Sequence, residues 1–139
     1  MSDATQAGPM KFVAINGADT NVGTPGSPWR TLGKAAAAAP AGATIFLGAG
    51  TYEGGVTFHQ PGLTIATLPT NDTASITAPT DDPAKGWTIR FGIHADGCTL
   101  RRLDVSGGYY YAVKTESNWN WDKSNATWQR HGTSRLTIE

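Results

Sequence analysis

Three tyrosines stand together at Tyr109, Tyr110 and Tyr111, and Trp119, Trp121 and Trp128 follow shortly after. Flat aromatic rings suit the apolar faces of sugar rings. Asn118, Asn120, Asp122, Gln129 and Arg130 lie among them as donors and acceptors for hydroxyl groups. The same rings suit two other uses: folding their segment onto the body of the domain as a satellite core, or meeting another protein. Tryptophan and tyrosine bury large areas in either setting. Residues 117–132 show no strand periodicity and read as a long projecting aromatic loop, and such loops on a rigid scaffold collect binding residues.

A second set has the residue types of a lyase. Arg101, Arg102, Asp104 and Lys114 offer a base to remove a proton beside a uronate carboxylate and cations to neutralise the acid group. The run Cys98 to Val105 reads as one strand, however, in which Arg101 and Arg102 alternate between faces and at least one is solvated. His59, His94 and His131 are isolated, without metal-ligand spacing. Asp82, Asp96 and Asp104 allow a carboxylate pair across the fold, but no spacing marks one, and Asp81-Asp82-Pro83 reads first as a turn. The loop from Asn16 to Gly26 is rich in Asp and Asn and invites calcium. It lacks the regular ligand spacing and terminal bidentate glutamate of an EF-hand, so no metal or other cofactor is expected.

Eleven basic and eleven acidic residues cancel over 139 positions, with no basic cluster of the kind that holds a nucleic-acid backbone. No apolar run reaches the roughly 18 residues of a membrane span. The single Cys98 excludes an intrachain disulfide and a cysteine-based zinc site, and reads as a small buried apolar residue. Residues 1–10 have neither a basic nor an apolar region of a signal peptide and read as a flexible leader. Glycine, at 17 residues, exceeds its roughly 7% average and sits beside short β-type runs, which indicates frequent corners.

The elements that must position these side chains are short. Lys11 to Ile15 reads as a strand and the Asn16–Gly26 stretch as a tight ordered loop. One helix is expected over 27–40, with Pro28 in its first turn, Ser27 or Thr31 as its cap, and Pro40 and Gly42 as its stop. It is too short to stand alone and must lean on an apolar surface. Beyond Gly42 come short β runs at Thr44–Leu47, Tyr52, Val56–Phe58, Leu63–Ile65, Ser75–Thr77, Trp87–Phe91, Cys98–Val105, Tyr111–Lys114 and Arg135–Ile138. Hairpin signals are nearly absent between them, Asp96-Gly97 being the exception. Gly62-Leu63-Thr64-Ile65, Gly86-Trp87-Thr88-Ile89 and Gly97-Cys98-Thr99-Leu100 echo one another without a constant period, as solenoid coils with unequal insertions do.

Four stretches then carry a resemblance: Asn16 to Thr24, Pro28 to Ala36, Ala41 to Leu47, and Gly50-Thr51-Tyr52. They closely resemble the opening of right-handed parallel β-helix proteins of the pectate-lyase-like set, nearest to family 9 polysaccharide lyases and related surface proteins. The resemblance covers residues 11–60 strongly and 61–139 only in general pattern. It implies an all-β solenoid whose N-terminal helix caps the coil stack, with residues 11–139 as one domain of few coils that stops mid-coil at its C-terminal end. One departure is Ala43, where those proteins usually carry aspartate. Their catalytic machinery lies on later coils, in a cluster of acidic calcium ligands near a lysine, and no such cluster occurs here.

The expected function is therefore a non-catalytic carbohydrate-associated module, or the N-terminal part of a polysaccharide-processing protein. Its ligand would be a polysaccharide or oligosaccharide held by Tyr109, Tyr110, Tyr111, Trp119, Trp121, Trp128, Asn120, Asp122 and Arg130. A polysaccharide lyase or glycoside hydrolase completed by other sequence or another subunit is the second reading, and a structural element of a phage fibre or cell surface the third. The resemblance implies an extracellular, cell-surface or virion location. The last strand pattern runs through Arg135, Leu136, Thr137 and Ile138 with no second cap after it, so a homo-oligomer through that end is expected.

Overall fold

The computed structural model describes residues 8–69, 73–115, 117–122, 127–132 and 136–138, the last three spans by backbone alone. Strand β1 is Met10–Val13, and helix α1 is Leu32–Ala38. Then follow β2 (Thr44–Leu47), β3 (Thr51–Glu53), β4 (Val56–Phe58), β5 (Thr64–Thr67), β6 (Ala74–Ala78), β7 (Trp87–Phe91), β8 (Cys98–Arg101), β9 (Leu103–Gly107) and β10 (Tyr111–Thr115). Last come β11 (Ser117–Asp122), β12 (Thr127–Gly132) and β13 (Leu136–Ile138).

The chain is mostly β, with parallel sheets and one short α-helix. Three sheets are built in the orders β1-β2-β5-β8-β13, β3-β6-β9 and β4-β7-β10, and every pair in them is parallel. The chain visits them in rotation. In the first sheet Thr44 pairs with Thr64, a step of 20 residues; Thr64 pairs with Thr99, a step of 35; and Thr99 pairs with Thr137, a step of 38. Such a rotation is compatible with coils of a parallel β-helix.

Register places like on like. Ile45, Ile65 and Leu100 form one buried column, Tyr52 and Ile76 are buried in a second whose last member, Val105, is partly buried, and Phe58 lies against Phe91 with ring centroids 5.9 Å apart. Each such aliphatic or aromatic side chain contributes about 1.5–3 kcal/mol by leaving water. Cys98 is buried as expected and follows Ala43 and Leu63 in the column that precedes the threonines. Ala43 is fully buried, so the aspartate of the resembled proteins would meet apolar neighbours here.

The corners feeding that first sheet are built alike. Gly42, Gly62 and Gly97 all have φ between +71° and +76°, each two residues before a stacked threonine. The Gly42 N–H donates to Pro61 O at 2.9 Å and the Gly62 N–H to Asp96 O at 2.7 Å, so successive corners are bonded to one another. Asp96-Gly97 is thus a corner between parallel strands and not a hairpin. Of the three sequence echoes, the one at Gly86 belongs to another sheet, and its place is taken by Gly42-Ala43-Thr44-Ile45.

The helix begins at Leu32, not at Pro28. Ser27 closes a tight turn with Thr24, and Trp29 is held in extended pairing, its N–H donating to Phe12 O and its carbonyl accepting from Ala14 N. Thr31 is the N-cap, its hydroxyl accepting from Lys34 N at 3.1 Å. Leu32 and Ala35 face the core against β1 and β4, and the Gln60 side chain donates to the Ala36 and Ala39 carbonyls at 2.9 and 2.7 Å. Residues 1–7 lie outside the described residues, while Pro9 and Met10, read above as leader, are ordered: Pro9 O accepts from Thr44 N at 2.8 Å.

Two further corrections concern strands. Within the stretch read as a projecting loop, 117–132, the described segments Ser117–Asp122 and Thr127–Gly132 pair antiparallel as β11 and β12. Only Trp119-Asn120-Trp121 alternates apolar with polar; Thr127–Gly132 carries a single tryptophan among polar residues, which hides the second strand from a search for half-buried strands. The run from Cys98 to Val105 is two strands, broken at Arg102, whose φ is +53°.

Candidate functional site

The exposed aromatic residues gather where β7 meets β10. Tyr109, Tyr110 and Tyr111 are 43, 65 and 52% exposed, large values for rings and decisive against a satellite core for these three. Tyr109 and Tyr110 meet edge to face with centroids 4.6 Å apart, and Tyr110 and Tyr111 are 6.3 Å apart. Their backbone is anchored: the N–H groups of Tyr110 and Tyr111 both donate to Gly86 O at 2.9 Å. A Cβ at Gly86 would lie 3.2 Å from the Tyr110 ring, which would have to give by a few tenths of an ångström.

Register places Tyr111 beside Trp87, a residue the sequence reading did not single out. Arg90 stacks its guanidinium 4.1 Å from the Trp87 ring, and Lys114 holds its ammonium 5.7 Å from both Trp87 and Tyr111. Arg90 Nε also donates to the Thr57 hydroxyl at 3.1 Å. The Trp87 indole N–H is buried without an acceptor among the described residues. The surface that results is an aromatic shelf with two cations at one side, suited to a ligand with flat apolar faces and polar edges. Trp87 and Arg90 are legible only through register, which the unequal spacing of paired strands conceals.

The hairpin that follows carries the remaining aromatic candidates. Trp121 pairs with Trp128, Trp119 with Arg130, Asn120 with Gln129, and Asp122 with Thr127. Residues directly opposite and two apart share a face of a hairpin, so Trp119, Trp121, Trp128 and Arg130 occupy positions of one face. Their side-chain contacts lie outside the described residues. Leu136, Thr137 and Ile138 pair with Cys98, Thr99 and Leu100; Arg135 lies outside the described residues.

The lyase-type residues are not brought together. Arg101 ends β8, Asp104 lies on β9 and Lys114 on β10, in three different sheets. Arg102 is a corner clamp, its guanidinium donating to Thr67 O at 2.7 Å while its carbonyl accepts from the Thr67 hydroxyl at 2.5 Å. Asp104 accepts from the Ser75 hydroxyl at 3.5 Å. Asp82 caps the short 3₁₀ turn Pro83–Lys85.

The loop that invited calcium is bound to the chain itself. Asp19 accepts from Arg30 N, Thr31 N and the Thr31 hydroxyl, and Asn21 bridges Pro28 O and the Trp29 indole. Among the described residues no three His, Cys, Asp or Glu side chains form a metal-holding group.

A cleft of about 650 Å³ opens between the start of α1 and β3, lined by Arg30, Thr31 and Gly33 on one side and residues 51–56 on the other. A shallower continuation of about 370 Å³ runs along Ala36 and Ala37 to His59. No helix among the described residues is long and apolar enough to cross a membrane.

Neither the curated proteins nor the solved structures provide a match to this chain. Residues 15–61, which span the Asp19 loop, the helix and the first turn through β2, β3 and β4, match the family described as Protein of unknown function (DUF1565).

Proposed function

We propose that this chain is a right-handed parallel β-helix capped by α1, and that it acts as a non-catalytic carbohydrate-associated module. The rotation of strands through three parallel sheets supports the first part, and right-handed crossovers are the rule for parallel strands. The second part rests on one observation: three tyrosines 43 to 65% exposed sit side by side on a backbone anchored to Gly86. Solvated rings of this size gain most by covering a ligand. The ligand would be a polysaccharide or oligosaccharide, with Arg90 and Lys114 beside the rings and the β11–β12 hairpin bringing Trp119, Trp121 and Trp128 to the same part of the chain.

Titration with oligosaccharides, followed by tryptophan fluorescence, tests this reading. Tyr110→Ala should weaken binding about tenfold while leaving the melting midpoint within a few degrees, because the ring is mostly solvated. A loss of stability with binding intact would assign the tyrosines to packing and reject the proposal.

Self-association through the far end is a second reading with its own observation. Leu103, Val105 and Val113 are only partly buried, while Ala74, Ile76 and Ile89, their partners one coil earlier, are fully so. Among the described residues strands β9, β10 and β13 stand last in their sheets, and an edge left so invites pairing with a further strand. A two-fold dimer would cover the same patch on both copies. Light scattering should show a dimer that Val105→Lys dissociates; a monomer at high concentration overturns this reading.

A further inference from the structure

The end of the stack nearest α1 is closed unevenly. The first sheet is extended by β1, which pairs with β2, and the sheet ending in β4 has α1 packed beside that strand. Among the described residues the sheet ending in β3 has neither, and its edge opens into the cleft of about 650 Å³.

The backbone of β3 fixes what that edge presents. Gly50 O accepts from Ser75 N at 2.9 Å, and the Gly54 N–H donates to Thr77 O at 2.8 Å. Main-chain groups alternate sides along a strand, so Gly50, Tyr52 and Gly54 turn theirs toward β6. Thr51 and Glu53 turn their N–H and C=O the other way, toward the cap side, and these groups find no partner among the described residues. Two donor–acceptor pairs two residues apart, roughly 6.6 Å by strand geometry, match the repeat of an extended peptide. The facing wall is low where Gly33 stands and carries Arg30, which is exposed and forms no ion pair among the described residues; the lining's one anionic residue, Glu53, belongs to the strand itself, so the charge that faces an added strand from across the cleft is Arg30.

We propose that this cleft receives an extended peptide from another chain, added as a strand along β3, with an acidic side chain set against Arg30. Main-chain bonds to Thr51 and Glu53 supply the affinity, and Arg30 supplies the choice among sequences. The edge is only three residues long, so a single such peptide binds weakly and serves best as one contact among several.

Three capped heptapeptides of alternating threonine and valine test this: one with a central aspartate, one with a central lysine, and the aspartate peptide N-methylated at alternate amides. The aspartate peptide should slow amide exchange at Thr51 and Glu53 and bind about tenfold more tightly than the lysine peptide. N-methylation should abolish both effects, and Arg30→Glu should reverse the aspartate–lysine preference. Glu53→Pro removes one of the edge N–H groups without touching the bonds to β6 and should also abolish binding. Unchanged exchange at Thr51 and Glu53 with all three peptides overturns the proposal. So does equal binding of the N-methylated peptide, or protection of these amides by a neutral oligosaccharide such as maltohexaose in place of the peptides.

Discussion

Asp19 grips Thr31 twice, accepting from its N–H at 2.9 Å and from its hydroxyl at 2.7 Å, and so sets the residue that caps α1 from a loop twelve positions earlier. Partial burial raises the Asp19 pKa. The Thr31 hydroxyl, the Arg30 and Thr31 N–H groups and the nearby Lys34 charge outweigh it and leave the carboxyl below its usual 3.8.

A pKa lowered by folding means that the stabilisation is present above the unfolded value, about 3.9, and is lost as pH falls through the folded one. Asp19→Ala should cost about 1–2 kcal/mol at pH 7. Melting curves of the two proteins taken from pH 7 to pH 2 should converge at the acid end. A gap that stays constant would mean that the ionised carboxylate is not what holds the cap.

Gly42 and Gly54 should respond very differently to alanine. At Gly42 a Cβ meets nothing within 4 Å, so only the φ of +76° opposes it, at about 1–2 kcal/mol. At Gly54 a Cβ falls 2.5 Å from the Thr88 methyl group and 2.9 Å from Thr88 O, where two corners touch. Urea unfolding should show Gly54→Ala to be the more damaging by at least about 1 kcal/mol. Equal losses would contradict the close approach of β3 and β7 at this corner.

The Tyr52 hydroxyl donates to Gly48 O at 2.8 Å, with Val13 O also near at 3.3 Å, inside the core. Tyr52→Phe should cost about 1–2 kcal/mol, since the Gly48 carbonyl loses this donor inside the core, while Val13 O keeps the Gly48 N–H. Burial pushes the phenol above its usual 10.0, only partly countered by the Arg30 charge and a hydrogen bond at Ile15. The matching stabilisation is complete below the unfolded pKa and lost as pH rises through the folded one. Spectrophotometric titration of the wild type should therefore show a tyrosine step displaced above 10.0, and that step should be missing in Tyr52→Phe.

Cys98 should be inert while the chain is folded. Burial pushes its thiol up, hydrogen bonds at Leu63 and Gly62 offset part of this, and the Asp96 charge adds to it. A thiol reagent at pH 8 should label it slowly in buffer and within seconds in denaturant. Rapid labelling of the native protein would place the corner at Gly97 in frequent opening.

The strands were legible wherever apolar residues alternate over a corner glycine, as at Thr44–Leu47 and Trp87–Phe91. Trp87-Thr88-Ile89 has the same local pattern as Leu63-Thr64-Ile65 but lies in a different sheet, because local pattern reports burial and not partner. The tyrosine cluster could be named from sequence since its members are neighbours in the chain. Trp87 and Arg90 are separated from it by an insertion whose length nothing local determines. The start of α1 was misplaced because Pro28 is as favourable in an extended segment as in a first helical turn. The choice between them was made by Trp29 pairing with Phe12 and Val13.

The unequal steps of 20, 35 and 38 residues between stacked threonines also bear on how the chain folds. Every strand pair in the three sheets closes a loop at least that long, so native contacts are non-local and refolding belongs in the millisecond-to-second range of such topologies. The 20-residue step between β2 and β5 closes the shortest of these loops and so carries the smallest closure entropy. Going from 20 to 38 residues adds only about 0.6 kcal/mol of closure entropy. An inserted pair such as β11–β12 can therefore sit inside the longest of these steps at little entropic cost.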